Sequence, residues 1–145
     1  MGRDDRERVR AKLTECLSAH PEILEAYLFG SFARGEPGPH SDIDVAVRVE
    51  PDALQYAPFG YTASLTAELA TAVGHDAVDV VLLNRAPPLL YHRVLRDGLR
   101  LLSRDLSATT TREAQALSRY CDYVPHLRKL EAAHRARIDG GSFGR

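Results

Sequence analysis

Leu28-Phe29-Gly30-Ser31-Phe32-Ala33-Arg34-Gly35, followed by Ser41-Asp42-Ile43-Asp44-Val45-Ala46-Val47, decides how this chain is read. The pattern predicts a buried strand, a tight Gly-Ser turn, one short helical turn, a Pro/Gly loop and a second strand carrying two carboxylates. Ten residues separate Ser31 from Asp42, and one separates Asp42 from Asp44. Gly30 lacks a Cβ, so the backbone can turn sharply after the strand and let a phosphate approach. Ser31 opens a helical turn whose unpaired N–H groups and hydroxyl suit an anion. Arg34, one turn on, adds positive charge. Asp42 and Asp44, two apart on a strand, leave the same face roughly 6–7 Å apart at the backbone. Ile43, Val45 and Val47 then point the other way, into a core. Paired carboxylates in an apolar setting repel unless a cation joins them, and hard oxygen donors favour Mg²⁺. A phosphate cradle beside a dicarboxylate is what metal-assisted phosphoryl transfer needs.

Working outward, a third carboxylate is expected on a neighbouring strand. Val78-Asp79-Val80-Val81-Leu82-Leu83 supplies Asp79, one charge in an apolar run that is costly to bury without a partner. Singly, these features have plain structural explanations: a common turn, a solvated edge strand, a strand residue facing water. Their joint occurrence, in order and on the right elements, does not.

The 145 residues are enough for one domain with a single core. Nineteen basic against twenty acidic residues give a net charge of −1, so bulk electrostatics make no case for nucleic-acid binding. Cys16 and Cys121 lie far apart, with neither zinc-type spacing nor a disulfide framework, and a reducing cytoplasm is the expectation. No signal peptide, transmembrane run or lipidation motif is visible, so no membrane association is expected.

Asp4 to about His20 reads as an amphipathic helix, with Val9, Leu13, Cys16 and Leu17 at helical spacing and Pro21 ending it. Ile23 to Phe29 is the first strand and Asp42 to Val49 the second. Glu36 to His40 is a loop, with His40 close enough to touch a phosphate or simply exposed. Pro51 to Gly60 reads as irregular, and among Tyr56, Phe59 and Tyr61 one aromatic face can stack on a base, packing being the plainer role. A helix from Tyr61 to about Val73 turns Leu65, Leu69, Ala72 and Val73 inward and stops at Gly74. Ala77 to Leu83 is the third strand. Pro87 and Pro88 start a helix that continues from Leu89 to Asp97, and Leu99 to Ser103 is a short strand. From about Thr110 to Ile138 the pattern is helical, with Leu117, Tyr120, Cys121, Val124, Leu127 and Leu130 recurring, and Pro125 predicts a kink or interruption. Basic residues crowd its later part: Arg128, Lys129, His134, Arg135 and Arg137. That helix packs on its own sheet, or docks a partner, and the two roles are compatible.

With those motifs in view, the sequence resembles the nucleotidyltransferases related to DNA polymerase β. Within them it resembles the minimal nucleotidyltransferases (MNT), the antitoxin halves of HEPN–MNT toxin–antitoxin pairs. The Gly-Ser…Asp-x-Asp core carries the superfamily resemblance; shortness and the basic C-terminal helix carry the MNT one. The resemblance implies an α/β fold with a small mixed sheet flanked by helices and a long C-terminal helical segment. It implies Mg²⁺, two ions, held by Asp42, Asp44 and Asp79, with Gly30 and Ser31 holding ATP. It also implies transfer of AMP to a tyrosine hydroxyl of a cognate HEPN toxin, by in-line attack on the α-phosphorus with pyrophosphate leaving and Asp79 as proton acceptor. Residues 1–105 are expected to form the nucleotidyltransferase core, 106–139 a C-terminal helical arm of the same domain, and 140–145 a disordered tail. Two alternatives stand beside this: a steric antitoxin that neutralises by binding alone, and a nucleotidyltransferase acting on a small molecule such as an aminoglycoside.

Overall fold

The computed structural model describes residues 3–35, 42–55 and 58–139. Four strands form one sheet in the order β3-β2-β1-β4. They are β1 (Ile23–Phe29), β2 (Ile43–Val49), β3 (Val78–Leu82) and β4 (Leu99–Ser103). β1 pairs antiparallel with both β2 and β4, whereas β2 and β3 run parallel. The mixed sheet, its flanking helices and the long helix at the C-terminal end match the fold class expected from the sequence.

Alternation along the strands sorts the side chains into two layers. Ala26, Leu28, Ile43, Val45 and Val47 face α1 (Arg3–Ser18) and α3 (Pro58–Val73), meeting Val9, Leu13, Leu17, Leu65, Leu69 and Val73 in the larger core. Tyr27, Phe29 and Ala46 face the other way, toward Tyr91 and Val94 of α4 (Pro88–Asp97) and Ala116 of α5 (Leu106–Asp139). Each fully buried aliphatic side chain contributes roughly 1.5–3 kcal/mol, so the larger layer is where most of the stability resides. The shift of register between Ile23 and Glu25 turns Ile23 into the larger core and Glu25 toward α5.

Glu25 is fully buried, a placement that the sequence did not suggest. Its carboxylate accepts hydrogen bonds from the Arg112 guanidinium, 2.8 Å from Nε, and from Thr109 Oγ1 at 2.9 Å. Next along the sheet, Tyr27 donates to Glu113 at 2.8 Å, and Arg100 donates to the same carboxylate. These contacts fasten the first turns of α5 to β1 and β4.

Several expectations are corrected. Pro51–Leu54 forms a 3₁₀ turn and α3 already begins at Pro58, so the stretch read as irregular is largely helical. Proline at the first position suits both starts, since its missing N–H is not needed there. Pro125 does not interrupt α5, which runs unbroken for 34 residues; the flanking hydrogen bonds carry the helix past the one donor that proline lacks. Of the residues recurring along α5, Leu117 and Leu130 are half exposed and Cys121 is exposed. Tyr61 donates to Glu22 at 2.8 Å and packs at the far end of the sheet, which removes it as a base-stacking candidate. Tyr56, the side chain of Phe59, His40 and the 140–145 tail lie outside the described residues. Among the described residues, no helix is long and apolar enough to cross a membrane.

Candidate active site at the Gly30 turn

β1 ends at Phe29, which stands opposite Asp44 in the β1–β2 register, and Asp44 in turn stands beside Asp79 in the β2–β3 register. Neighbouring strands lie about 4.8 Å apart, so one row across the sheet carries Phe29, Asp44 and Asp79. Asp42 leads into β2 two residues earlier, at the same end of the sheet. Both aspartates of the pair are therefore brought to the Gly30 turn by strand pairing alone.

Gly30 is required for two reasons. Its φ is +77°, in the left-handed region that disfavours side chains, and a Cβ built there would collide with Asp44 Oδ2. The backbone of the turn thus lies directly against the Asp44 carboxylate. Ser31 follows in α2 (Gly30–Ala33), where Phe32 and Ala33 anchor the turn in the core. Arg34 is the residue that closes this turn, and its guanidinium lies 3.5 Å from Asp97 at the end of α4.

Charge is concentrated here. The Asp44 carboxyl is pushed up to about 6, by burial first and then by the like charges of Asp79 and Asp42, with Arg34 pulling the other way. Asp42 and Asp79 are exposed. Burial therefore does not single out Asp79, as its apolar run suggested; its position beside Asp44 does. The ligand atoms of Asp42, Asp44 and Asp79 do not all lie within 4.8 Å of one another. Among the described residues, one group of three metal-ligating side chains has its ligand atoms within 4.8 Å of one another, and it comprises Cys16, His20 and Glu68 instead.

Of the residues singled out from the sequence, the structure brings Gly30, Ser31, Arg34, Asp42, Asp44 and Asp79 to one end of the sheet. It adds Asp97, which lies 3.5 Å from Arg34 while accepting two hydrogen bonds from Arg96 at 3.0 Å. Nothing in the sequence near Asp97 announces its place beside Arg34, because the contact is made between α2 and α4 and has no local signature.

A profile of the family described as Polymerase beta, Nucleotidyltransferase matches residues 11–107. The chain belongs to this family. The match takes in all four strands and every residue of the Gly30 cluster. No curated protein matches the chain. Among solved structures, the chain is similar to one described as a toxin–antitoxin with AMP-PNP, with 25% identity, a TM-score of 0.60 and coverage of 92% of this chain and 98% of that one. It is likewise similar to a chain of the tri-AMPylated Shewanella oneidensis HEPN toxin in complex with MNT antitoxin. Identity there is 25% and the TM-score 0.62, covering 94% of this chain and 98% of that one. The nucleotidyltransferase reading of the sequence and its likeness to the MNT group are thereby supported by fold and by family.

Proposed function

We propose that this nucleotidyltransferase is a Mg²⁺-dependent antitoxin of the cytoplasm that transfers AMP from ATP to a tyrosine hydroxyl of a cognate HEPN ribonuclease and so silences it. The observation that carries this reading is the row formed by Asp44 and Asp79 beside the Gly30 turn, with Asp42 two residues away. The likeness to a structure holding AMP-PNP and to one holding a tri-AMPylated HEPN toxin supports the nucleotide and the acceptor.

The donor set fits Mg²⁺. All three side chains offer hard carboxylate oxygens; burial first, and then the like charges of Asp79 and Asp42, raise the Asp44 carboxyl, and a divalent cation would offset both. Asp42, Asp44 and Asp79 would hold the metal, which when bound supplies neutralisation of phosphate charge and acidification of the attacking hydroxyl. The chain's own residues do the rest. Gly30 lets the turn's backbone lie against the Asp44 carboxylate, Ser31 offers its hydroxyl and N–H, and Arg34 presents a cation 3.5 Å from Asp97. Asp79, exposed and adjacent to Asp44, receives the proton of the incoming tyrosine hydroxyl as that oxygen attacks the α-phosphorus in line with departing pyrophosphate.

An acceptor brought by another protein suits the surroundings. The aspartates stand at an open end of the sheet, and Asp42 and Asp79 face solvent. A hollow of about 440 Å³ between α4 and α5 is lined by His92, Leu95, Arg96, Glu113, Ala114 and Leu117, and by none of the aspartates. Beyond it, every residue from Arg128 to Arg137 is exposed, so the end of α5 is a basic, solvated arm available for docking.

The test is intact-mass spectrometry of the cognate HEPN protein after incubation with this chain, ATP and Mg²⁺. Mass gains in AMP units are expected with wild type and not with the Asp42→Asn, Asp44→Asn double variant. The lost metal site removes several kcal/mol of transition-state stabilisation, about a thousandfold in rate. Tight binding without any mass gain would replace transfer by steric neutralisation.

A further inference from the structure

At the opposite end of β1 from Gly30, roughly 20 Å away along the strand, three metal-binding side chains converge. Cys16, His20 and Glu68 each present one ligand atom, and these atoms all lie within 4.8 Å of one another. Cys16 and His20 are four apart where α1 ends. The backbone stays tightly wound there through Ala19 N–H to Cys16 O at 3.3 Å and His20 N–H to Leu17 O at 3.1 Å. Both side chains therefore share one face. Glu68 comes from α3, packed alongside, with its Oε2 2.6 Å from His20 Nε2. The other ring nitrogen, Nδ1, is 3.1 Å from Glu22 Oε2, and that carboxylate also accepts the Tyr61 hydroxyl at 2.8 Å.

We propose that this cluster is a second metal site, built for Zn²⁺ and separate from the aspartates. Cys16 Sγ, His20 Nε2 and a Glu68 oxygen supply three ligands, leaving a fourth position to water. The donor set argues for the metal: one thiolate, one imidazole and one carboxylate suit Zn²⁺, whereas Mg²⁺ takes oxygen alone. The surroundings argue for a site and not a chance meeting. Glu22 faces the non-ligating nitrogen of His20, the carboxylate–histidine–metal arrangement that fixes ring orientation, and Tyr61 in turn fixes Glu22. His20 and Glu22 are three-quarters covered, and Glu68 keeps the cluster open to solvent. Binding would displace the Cys16 proton and tie α1 to α3 at the start of β1. The sequence hides this site because Cys16 has no second cysteine near it and Glu68 is distant along the chain.

The experiment uses the full chain in the Asp42→Asn, Asp44→Asn background, which removes the other carboxylate site, reduced and stripped with a chelator. Co²⁺ is the spectroscopic probe. One equivalent is expected to give a thiolate-to-cobalt charge-transfer band, abolished by an equivalent of Zn²⁺. The band should vanish in Cys16→Ser and persist in Cys121→Ser. His20→Ala and Glu22→Gln, which leave the buried core intact, should each weaken Zn²⁺ binding by about ten- to a hundredfold. Zn²⁺ should raise the melting temperature of the background protein and not that of Cys16→Ser. A missing charge-transfer band, one that survives in Cys16→Ser, or Zn²⁺ affinity unchanged in His20→Ala would overturn the proposal. None of these readouts depends on nucleotide transfer.

Discussion

Glu25 and Asp44 are both acids on the same face of the same sheet, and the fold treats them in opposite ways. Glu25 is wholly buried, yet its two oxygens meet Arg112 and Thr109. Asp44 is only half buried, yet it faces two further aspartates, and its carboxyl is pushed up to about 6. The better-buried charge is thus the better compensated. One acid is matched to fasten α5, and the other is left under repulsion beside a turn that presses backbone against it. Both acids are desolvated, and what separates them is the partner each one meets: a guanidinium for Glu25, two like charges for Asp44.

Four variants break or sharpen that contrast. Arg112→Ala strips the partner from a buried carboxylate and should destabilise the fold by about 3–5 kcal/mol, read by urea unfolding; a loss under about 1 kcal/mol would mean Glu25 is satisfied without it. Gly30→Ala forces a side chain into left-handed backbone and onto the Asp44 carboxylate. A cost of about 1–3 kcal/mol is expected, with transfer activity falling further than stability. Asp44→Asn should act in the reverse sense on stability. A carboxyl that titrates near 6 folded, against an ordinary value of 3.8, binds its proton more tightly in the fold. Stability therefore declines as pH rises from about 4 to about 6, and the deficit stays in full above that. Removing the charge from the chelated protein should add on the order of 1 kcal/mol at neutral pH, after allowing for solvent screening, and nothing below about pH 4. Unfolding curves at the two pH values, compared with wild type, decide it. Leu130→Ala, on the solvated arm, should change stability by less than about 0.5 kcal/mol while weakening capture of the proposed HEPN partner in a pull-down; equal binding would detach the arm from docking.

The sequence made one of these two regions legible and hid the other. Gly30, Ser31, Asp42 and Asp44 announce themselves because they are close along the chain and their spacing is set by one turn and one strand. Asp79 is readable as a charge in an apolar run, though for the wrong reason, since the structure leaves it exposed. The Glu25–Arg112 pair is illegible: 87 positions separate its members, and a register shift near Ile23 decides which way Glu25 points. The same holds for Asp97 beside Arg34, and for the exposure of Leu117 and Leu130, since helical periodicity alone does not say which residues of a long helix meet the sheet. Local patterns specify elements; which faces they share is settled only when the elements meet.

The parallel pairing of β2 with β3 carries a consequence for the order of events in folding. Parallel neighbours enter a sheet from the same end, so after Val49 the chain must travel back through α3 before Val78 can pair. Asp79 reaches Asp44 from thirty-five residues further along, a closure slower than any within a hairpin. A nascent chain that has emerged only as far as Gly74 already holds the Gly30 turn, Asp42 and Asp44, and still has no complete carboxylate row. The carboxylate row is therefore complete only once β3 has crossed back through α3 to lie beside β2.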